Sequence, residues 1–370
     1  MKLKHILFFL VVILGFYSCI KSEDPNAEAD IVSCKIIENN VLNTEPLINN
    51  EEAGNYSISL FVKKEADITK ITPVFELTAG ATIEPESGVT QDFTSSKKYV
   101  VTSEDKQWQK EYTVSAIQTN LPTSYSFEET SKSDKYDTFV ETYQNNVIMS
   151  WASGNPGFSI TGAAQSPLDF PTVQDKNGYK GACAKLTTRS TGQFGSDVGM
   201  PIAAGNLFIG KFNLLAAISN PLKATQFGLP FNELPTHLTG YYKYKAGEVF
   251  QEKETVIKGK KDKADIYAIF YETDRLVQTL DGSNALTHRN LVAIARLETI
   301  KESNDWVRFN IPFNYKPNKQ IDFNKLENGE YKLGIVFTSS IEGDKFNGAI
   351  GSTLWIDEVE VIYNLELTNK

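Results

Sequence analysis

Apolar and polar residues alternate along most of this chain, and few stretches carry the period of a helix. Between residues 31 and 117 the runs IVSCKII, YSISLFV, ITPVFEL, KKYVVTS and EYTVSAI are separated by turn clusters at Asn49-Asn50, Gly80 and Gly88. A period of two puts one set of side chains on one face of a strand, and short strands at this spacing predict a small β-sandwich. After a polar joint at 119–123 the same grammar continues to the end, which predicts a second, larger antiparallel β-structure with long loops. The best helical candidate, Asn213–Ser219, is too short to change the class. The chain therefore reads as all-β in two modules, 31–118 and 119–370.

The closing stretch, residues 343–363, is the most informative. It enters through a glycine-rich turn, GDKFNGAIGS, and runs into TLWIDEVEVIY. Leu354, Ile356, Val359 and Val361 can share one buried face only if the phase shifts at Asp357 and Glu358. An acidic pair thus stands where the pattern asks for an apolar residue. Trp355 is out of phase with the buried set and is expected to face outward. On another strand carrying Tyr241, Tyr242 and Tyr244, alternation puts the last two on one face.

Residues 1–18 have the form of a signal peptide: Lys2 and Lys4 precede an apolar stretch, Ile6–Phe16, shorter than the about 20 residues a bilayer span needs. Residues 19–30 are acidic and small, with nothing to bury, and read as a tether. The net charge of −9 argues against nucleic acid, because phosphate binding needs a basic surface. Lys258, Lys260, Lys261 and Lys263 cluster, but Asp262 and Asp265 interrupt them, as in a solvated hairpin tip. Cys34 and Cys183 fall in different modules and are expected as buried thiols rather than a bridge.

Few residues carry recognisable catalytic chemistry. GNLFIGK at 205–211 has the spacing of a phosphate-binding loop, but Phe212 stands where Ser or Thr would hold magnesium. Only His237 and His288 follow the signal segment, which leaves no multi-histidine zinc site, and no GxSxG elbow is present. Paired carboxylates could still serve a glycoside hydrolase or lyase, with Asp265, Asp274 and Asp344 as loose candidates. Sugar recognition instead needs flat rings with polar groups beside them. Trp151 precedes the breaker-rich ASGNPG and is expected at a loop mouth. Tyr242, Tyr244 and Trp306 are the other candidate rings, with Asn155 and Arg189 as polar partners. Trp108, beside the TSEDK turn, is expected to pack the first sandwich.

Several segments resemble known families. Phe16-Tyr17-Ser18-Cys19 resembles a bacterial lipobox, which implies an acylated Cys19, and Lys21-Ser22-Glu23-Asp24 resembles the export signal of Bacteroidetes surface lipoproteins. Together they imply a lipid anchor in the outer membrane, facing the cell exterior. The segment from ITPVFEL to EYTVSA, with Pro73 and Pro85, resembles the immunoglobulin-like spacers of such lipoproteins. GNLFIGKF, FGLPF, PTHLTGYYKYKAG, DIYAIFYETD, IARLE and TSSIEGDKFNGAIGSTLWIDEVEVIY resemble, in order, the putative carbohydrate metabolism domain (PCMD) family. That resemblance implies a jelly-roll sandwich and a link to polysaccharide utilisation: an oligosaccharide or polysaccharide ligand and neighbouring glycan-uptake proteins as partners. Carbohydrate-binding jelly rolls often clamp their termini with calcium, which implies Glu128 and Asp357 as ligands of a structural ion. A protein-binding adhesion or assembly lipoprotein is the further alternative.

Overall fold

A computed structural model describes residues 25–364 apart from 39–40, 43–45, 51–55, 64–65, 119, 133–134 and 144–145. Cys19 and the signal segment lie outside the described residues. Among those described, no helix is long and apolar enough to cross a membrane. The fold is all-β. The chain divides into two compact units, the second taking in everything from Ala116 onward together with Glu38–Pro46 and Ser59–Ile68.

In the N-terminal module, a five-stranded sheet runs in the order Leu47–Asn49, Ser57–Val62, Gln109–Gln118, Lys97–Thr102, Thr82–Glu84, beside the pair Ile31–Ile36 and Pro73–Leu77. Alternation buries Tyr99 with Val101 and Tyr112 with Val114. The Tyr112 hydroxyl meets Asn50 Oδ1 at 2.7 Å and Asp30 Oδ1 at 3.1 Å, which allows a phenol inside the sandwich. Trp108 departs from expectation: it is 62% exposed, because its backbone closes the 103–108 turn with Ser103 and turns the ring out. Both Cys34 and Cys183 are free and buried.

The larger unit is a sandwich of two antiparallel six-stranded sheets. One orders Thr172–Asp175, Cys183–Thr187, Thr353–Tyr363, Pro235–Lys245 and Ser303–Pro312, with Ser124–Tyr125 also paired to the closing strand. The other orders Asn206–Phe208, Tyr331–Thr338, Asp265–Glu272, Leu291–Arg296 and Asn314–Tyr315, with Leu229–Pro230 against Tyr331–Thr338. The chain crosses between sheets repeatedly, as a jelly roll does. Leu238, Tyr242, Leu354, Ile356, Val359 and Val361 from the first sheet meet Ile266, Phe270, Leu333, Ile335 and Phe337 from the second. The second sheet is also covered outside, where Phe227, Leu280 and Ala285 pack on Tyr267, Ile269 and Tyr271. Asp265–Glu272 is consequently buried on both faces and reads as an unbroken apolar run. The expected short helix forms at Leu214–Ser219, capped by Asn213 Oδ1 accepting from the Ala216 N–H at 3.0 Å.

The phase break in the closing strand is a β-bulge. Thr239 pairs with Glu360 and Tyr241 with Asp357, so three steps on one strand oppose two on its neighbour. Glu358 takes the extra step at φ 45°. Ile356 and Val359 thereby both stay in the core.

The glycine-rich turn before that strand wraps a buried carboxylate. Asp262 Oδ2 accepts from Ser340 Oγ at 2.5 Å, the Ala349 N–H at 2.7 Å and Ser352 Oγ at 2.7 Å, and Oδ1 accepts from the Lys263 N–H at 2.8 Å. Gly348, at φ +158°, leaves room for this, since a Cβ there would stand 2.7 Å from Ser340 Oγ. Asp262 is therefore not part of a solvated tip, and neither is Asp265, which Arg296 grips through Nε at 3.1 Å and Nη2 at 2.7 Å. An amide at 262 has one acceptor oxygen for four donors, and an unmet buried donor costs about 1–3 kcal/mol. Asp262→Asn should lower unfolding free energy by about that much in urea titrations; unchanged stability would mean the network is dispensable.

Candidate functional site

The outer face of the first sheet carries a dense group of accessible rings. Because Leu238, Tyr242 and Tyr244 are committed to the core, alternation sends Tyr241 and Lys243 outward. The same rule turns out Trp306 and Arg308, Trp355, and Lys185 on the neighbouring strands. Register sets Lys185 opposite Trp355, Trp355 opposite Lys243, and Tyr241 opposite Arg308. Lys243 Nζ lies 4.6 Å from the Trp306 ring centre and 5.4 Å from that of Trp355, and Lys185 Nζ lies 5.7 Å from Trp355. Cation and ring alternate across four adjacent strands, a span of about 14 Å at about 4.8 Å per strand. Trp355 Nε1 donates to Asp175 Oδ2 at 3.1 Å, which fixes the orientation of its ring.

A fourth ring arrives from the loop between Thr172–Asp175 and Cys183–Thr187. Tyr179 stacks on Tyr241 with ring centres 3.7 Å apart and planes 10° from parallel, and turns an edge to Trp306 at 6.3 Å. It remains 49% exposed, so its outer face is open to a ligand. Two carboxylates hold this loop from below. Asp357 Oδ2 accepts from the Lys180 N–H at 2.9 Å and Oδ1 from the Glu358 N–H at 2.8 Å. Glu128 accepts from the Ala182 N–H at 3.0 and 3.1 Å through its two oxygens. Gly181 is required there: φ is +67°, and a Cβ would fall 2.0 Å from Glu128 Oε1. Burial raises the Asp357 carboxyl above its ordinary range, against the opposing pull of the Lys180, Glu358 and Tyr179 N–H groups.

Of the rings chosen from sequence, only Trp306 joins this face. Trp151 is 2% exposed, packed by Tyr125, Phe127 and Phe337 at ring separations of 5.0, 5.3 and 6.0 Å. The expected loop mouth is instead the short helix Asn155–Ile160. Tyr242 and Tyr244 do share a face, but it is the core face, where their hydroxyls meet the Lys301 N–H at 3.3 Å and the Ser339 carbonyl at 3.4 Å. Asn155 is buried and pins Thr172 through both its backbone groups, at 2.7 and 3.1 Å. Arg189 binds the Leu168 carbonyl at 3.2 Å, on a strand paired with Ile202–Ala203 rather than in the first sheet. Tyr179, Tyr241, Trp355, Lys185 and Lys243 were not selected. Phase alone identifies all but Tyr179, which sits in an Asn-Gly-Tyr-Lys-Gly loop with no periodic signal.

The first and last strands do meet, as expected, with Tyr125 opposite Val359. Glu128 and Asp357 reach the same loop, but both face N–H donors rather than one another's lone pairs. Among the described residues no group of three or more His, Cys, Asp or Glu could hold a metal ion. These two carboxylates, already engaged by N–H groups, supply fewer oxygens by themselves than the six to eight that calcium takes. Excess EDTA should leave the melting temperature in place; a fall of several degrees would show that a cation is bound.

Of the loose catalytic candidates, Asp274 accepts from the Leu276 and Val277 N–H groups and from Asn290, and Asp344 sits in an exposed turn. Asp265 is held by Arg296. A shallow depression elsewhere is lined by Ser126, Glu128, Glu129, Val140, Glu141 and Thr142. There the Glu141 carboxyl is pushed up to about 7, chiefly by burial, although it accepts from Trp151 Nε1 at 3.0 Å and Glu129 adds repulsion. A carboxyl raised in the folded state favours folding most below its unfolded pKa, and that contribution is lost as pH rises through about 7. The melting temperature should therefore fall between pH 5 and 8, and Glu141→Gln, which keeps an acceptor for the indole, should flatten the slope. An equally steep slope in the variant would assign the pH dependence to other groups.

Residues 31–116 match the family described as "SGBP, N-terminal", and residues 126–362 match the "Putative carbohydrate metabolism domain", PCMD. A solved structure titled a putative glycoside hydrolase from Bacteroides thetaiotaomicron is 55% identical, covering 93% of this chain and 99% of its own, with a TM-score of 0.79. Another under the same description, from Bacteroides vulgatus, is 45% identical over 66% of this chain and 98% of its own, with a TM-score of 0.62. No curated protein matches. By the extent of the domain match and the identity to these relatives, the chain belongs to the PCMD family.

Proposed function

We propose that this protein binds glycans on the outer face of its first sheet, as a lipid-anchored outer-membrane protein acting in polysaccharide utilisation. The observation that carries the proposal is the grouping of Tyr179, Tyr241, Trp306 and Trp355 on one open sheet face. Aromatic faces carry partial negative charge and pair with the electropositive C–H faces of pyranoses. Four rings across several strands offer an extended track, suited to a chain of sugars rather than one. Lys and Arg beside them supply donors for hydroxyl oxygens. The carbohydrate-related family gives independent support. Anchoring through Cys19 on the cell exterior, beside glycan-uptake proteins, rests on the N-terminal sequence alone.

A second proposal, glycoside hydrolysis, draws on the depression that holds Glu129 and Glu141 and on the description given to the two solved relatives. A carboxyl titrating near neutrality suits a general acid. Reducing-sugar release that Glu141→Gln abolishes would favour it.

In native affinity gels cast with plant and host polysaccharides, wild-type protein should be retarded by at least one. Trp306→Ala and Tyr179→Ala should each weaken retention about tenfold, about 1.4 kcal/mol, at unchanged melting temperature. Retention that survives the double substitution would move the site off this face.

A further inference from the structure

We infer that the glycan taken by this face is anionic, carrying carboxylate or sulfate groups; the inference rests on the glycan-binding proposal and adds its chemical class. Four cationic side chains stand on or beside the platform, and their partners divide them. Lys185 has Asp175 at 3.9 Å and Lys180 has Glu358 at 3.8 Å. Lys243 and Arg308 have no carboxylate within ion-pairing distance among the described residues. Lys243 stands with its ammonium between two indoles, and Arg308 is exposed opposite Tyr241, next to Tyr179.

Carboxylates are in excess in a protein with 46 acidic and 37 basic residues, and some lysines elsewhere are paired with them: Lys260 meets Glu252 and Glu342, Lys261 meets Glu302, and Lys325 meets Glu272. Lys243 and Arg308 instead lie among rings, where an ammonium gains only the weaker cation–π attraction. A neutral sugar would use the N–H groups but leave their charge unmet. An anionic sugar uses both: its ring lies on Trp306, Trp355 or Tyr179 while its carboxylate or sulfate meets Lys243 as a point charge or Arg308 as a two-pronged donor. The acidic remainder of the protein repels a polyanion, so these two cations also localise binding to this face.

The test uses the full chain and matched pairs of polymers: galacturonan against its methyl ester, and carrageenan against its desulfated galactan. One member of at least one pair should be retained, the charged one at least tenfold more tightly, and retention should weaken as salt is raised from 50 to 500 mM. Which pair responds identifies the anion as carboxylate or sulfate. Lys243→Met with Arg308→Met should remove the preference for the charged member at unchanged melting temperature. If that double variant does not fold, Lys243→Gln and Arg308→Gln taken singly should each reduce the preference. Equal retention of both members, or a preference untouched by these variants while Trp306→Ala abolishes binding, overturns the inference and leaves glycan binding standing. Retention of poly(dT) with no polysaccharide retained overturns both.

Discussion

The sandwich and its outer platform both depend on one surplus residue in the Thr353–Tyr363 strand. A strictly alternating strand would put either Ile356 or Val359 into solvent; the bulge at Asp357 and Glu358 keeps both inside. A non-glycine residue held at positive φ costs about 1–3 kcal/mol, so the surrounding sheet must over-determine it. What this conformation gains is Asp357: a carboxylate on the outer side, fully buried, aimed at the backbone of the loop that presents Tyr179. The ring over the sheet and the apolar core below it are fixed by the same irregularity.

The platform also shows why the two sheets differ. Outside the second sheet, Phe227, Leu280 and Ala285 close over Tyr267, Ile269 and Tyr271, so its aromatic residues belong to a satellite core. Outside the first, aromatic residues of similar size alternate with lysines, and an ammonium on the face of an indole discourages further apolar packing while tolerating water. The open face is thus kept open by composition, and a ligand that approaches it meets rings already oriented by Asp175 and Tyr241.

Much of this was legible in the sequence. The all-β class, the Leu214–Ser219 helix, the phase break at Asp357 and the outward Trp355 follow from period and turn chemistry, and the meeting of the first and last strands from the resemblance to jelly rolls. The choice of rings did not, for a physical reason. Tyr242 and Tyr244 look like binding residues because phenols are amphipathic, but their hydroxyls find buried backbone partners across the sandwich, which local pattern does not encode. Trp151 precedes a Gly-Pro-rich segment that folds into a short helix instead of a loop mouth. Tyr241 and Trp306 come together only through register between strands some sixty residues apart.

The segment GDKFNGAIGSTLWIDEVE divides accordingly into two jobs. Its first half supplies Gly348, Ala349 and Ser352 to the Asp262 network, where four donors converge on one buried carboxylate. That network reaches Thr188 through Ser340 and so ties the turn to the strand entering from Cys183–Thr187. Its second half carries Trp355 and Asp357 on the outer face. A glycine-rich motif next to an acidic pair invites a phosphate- or metal-binding interpretation, yet here the backbone N–H groups and carboxylates satisfy each other. The chemistry available to a ligand lies one strand-face away, in side chains that alternate against the pattern.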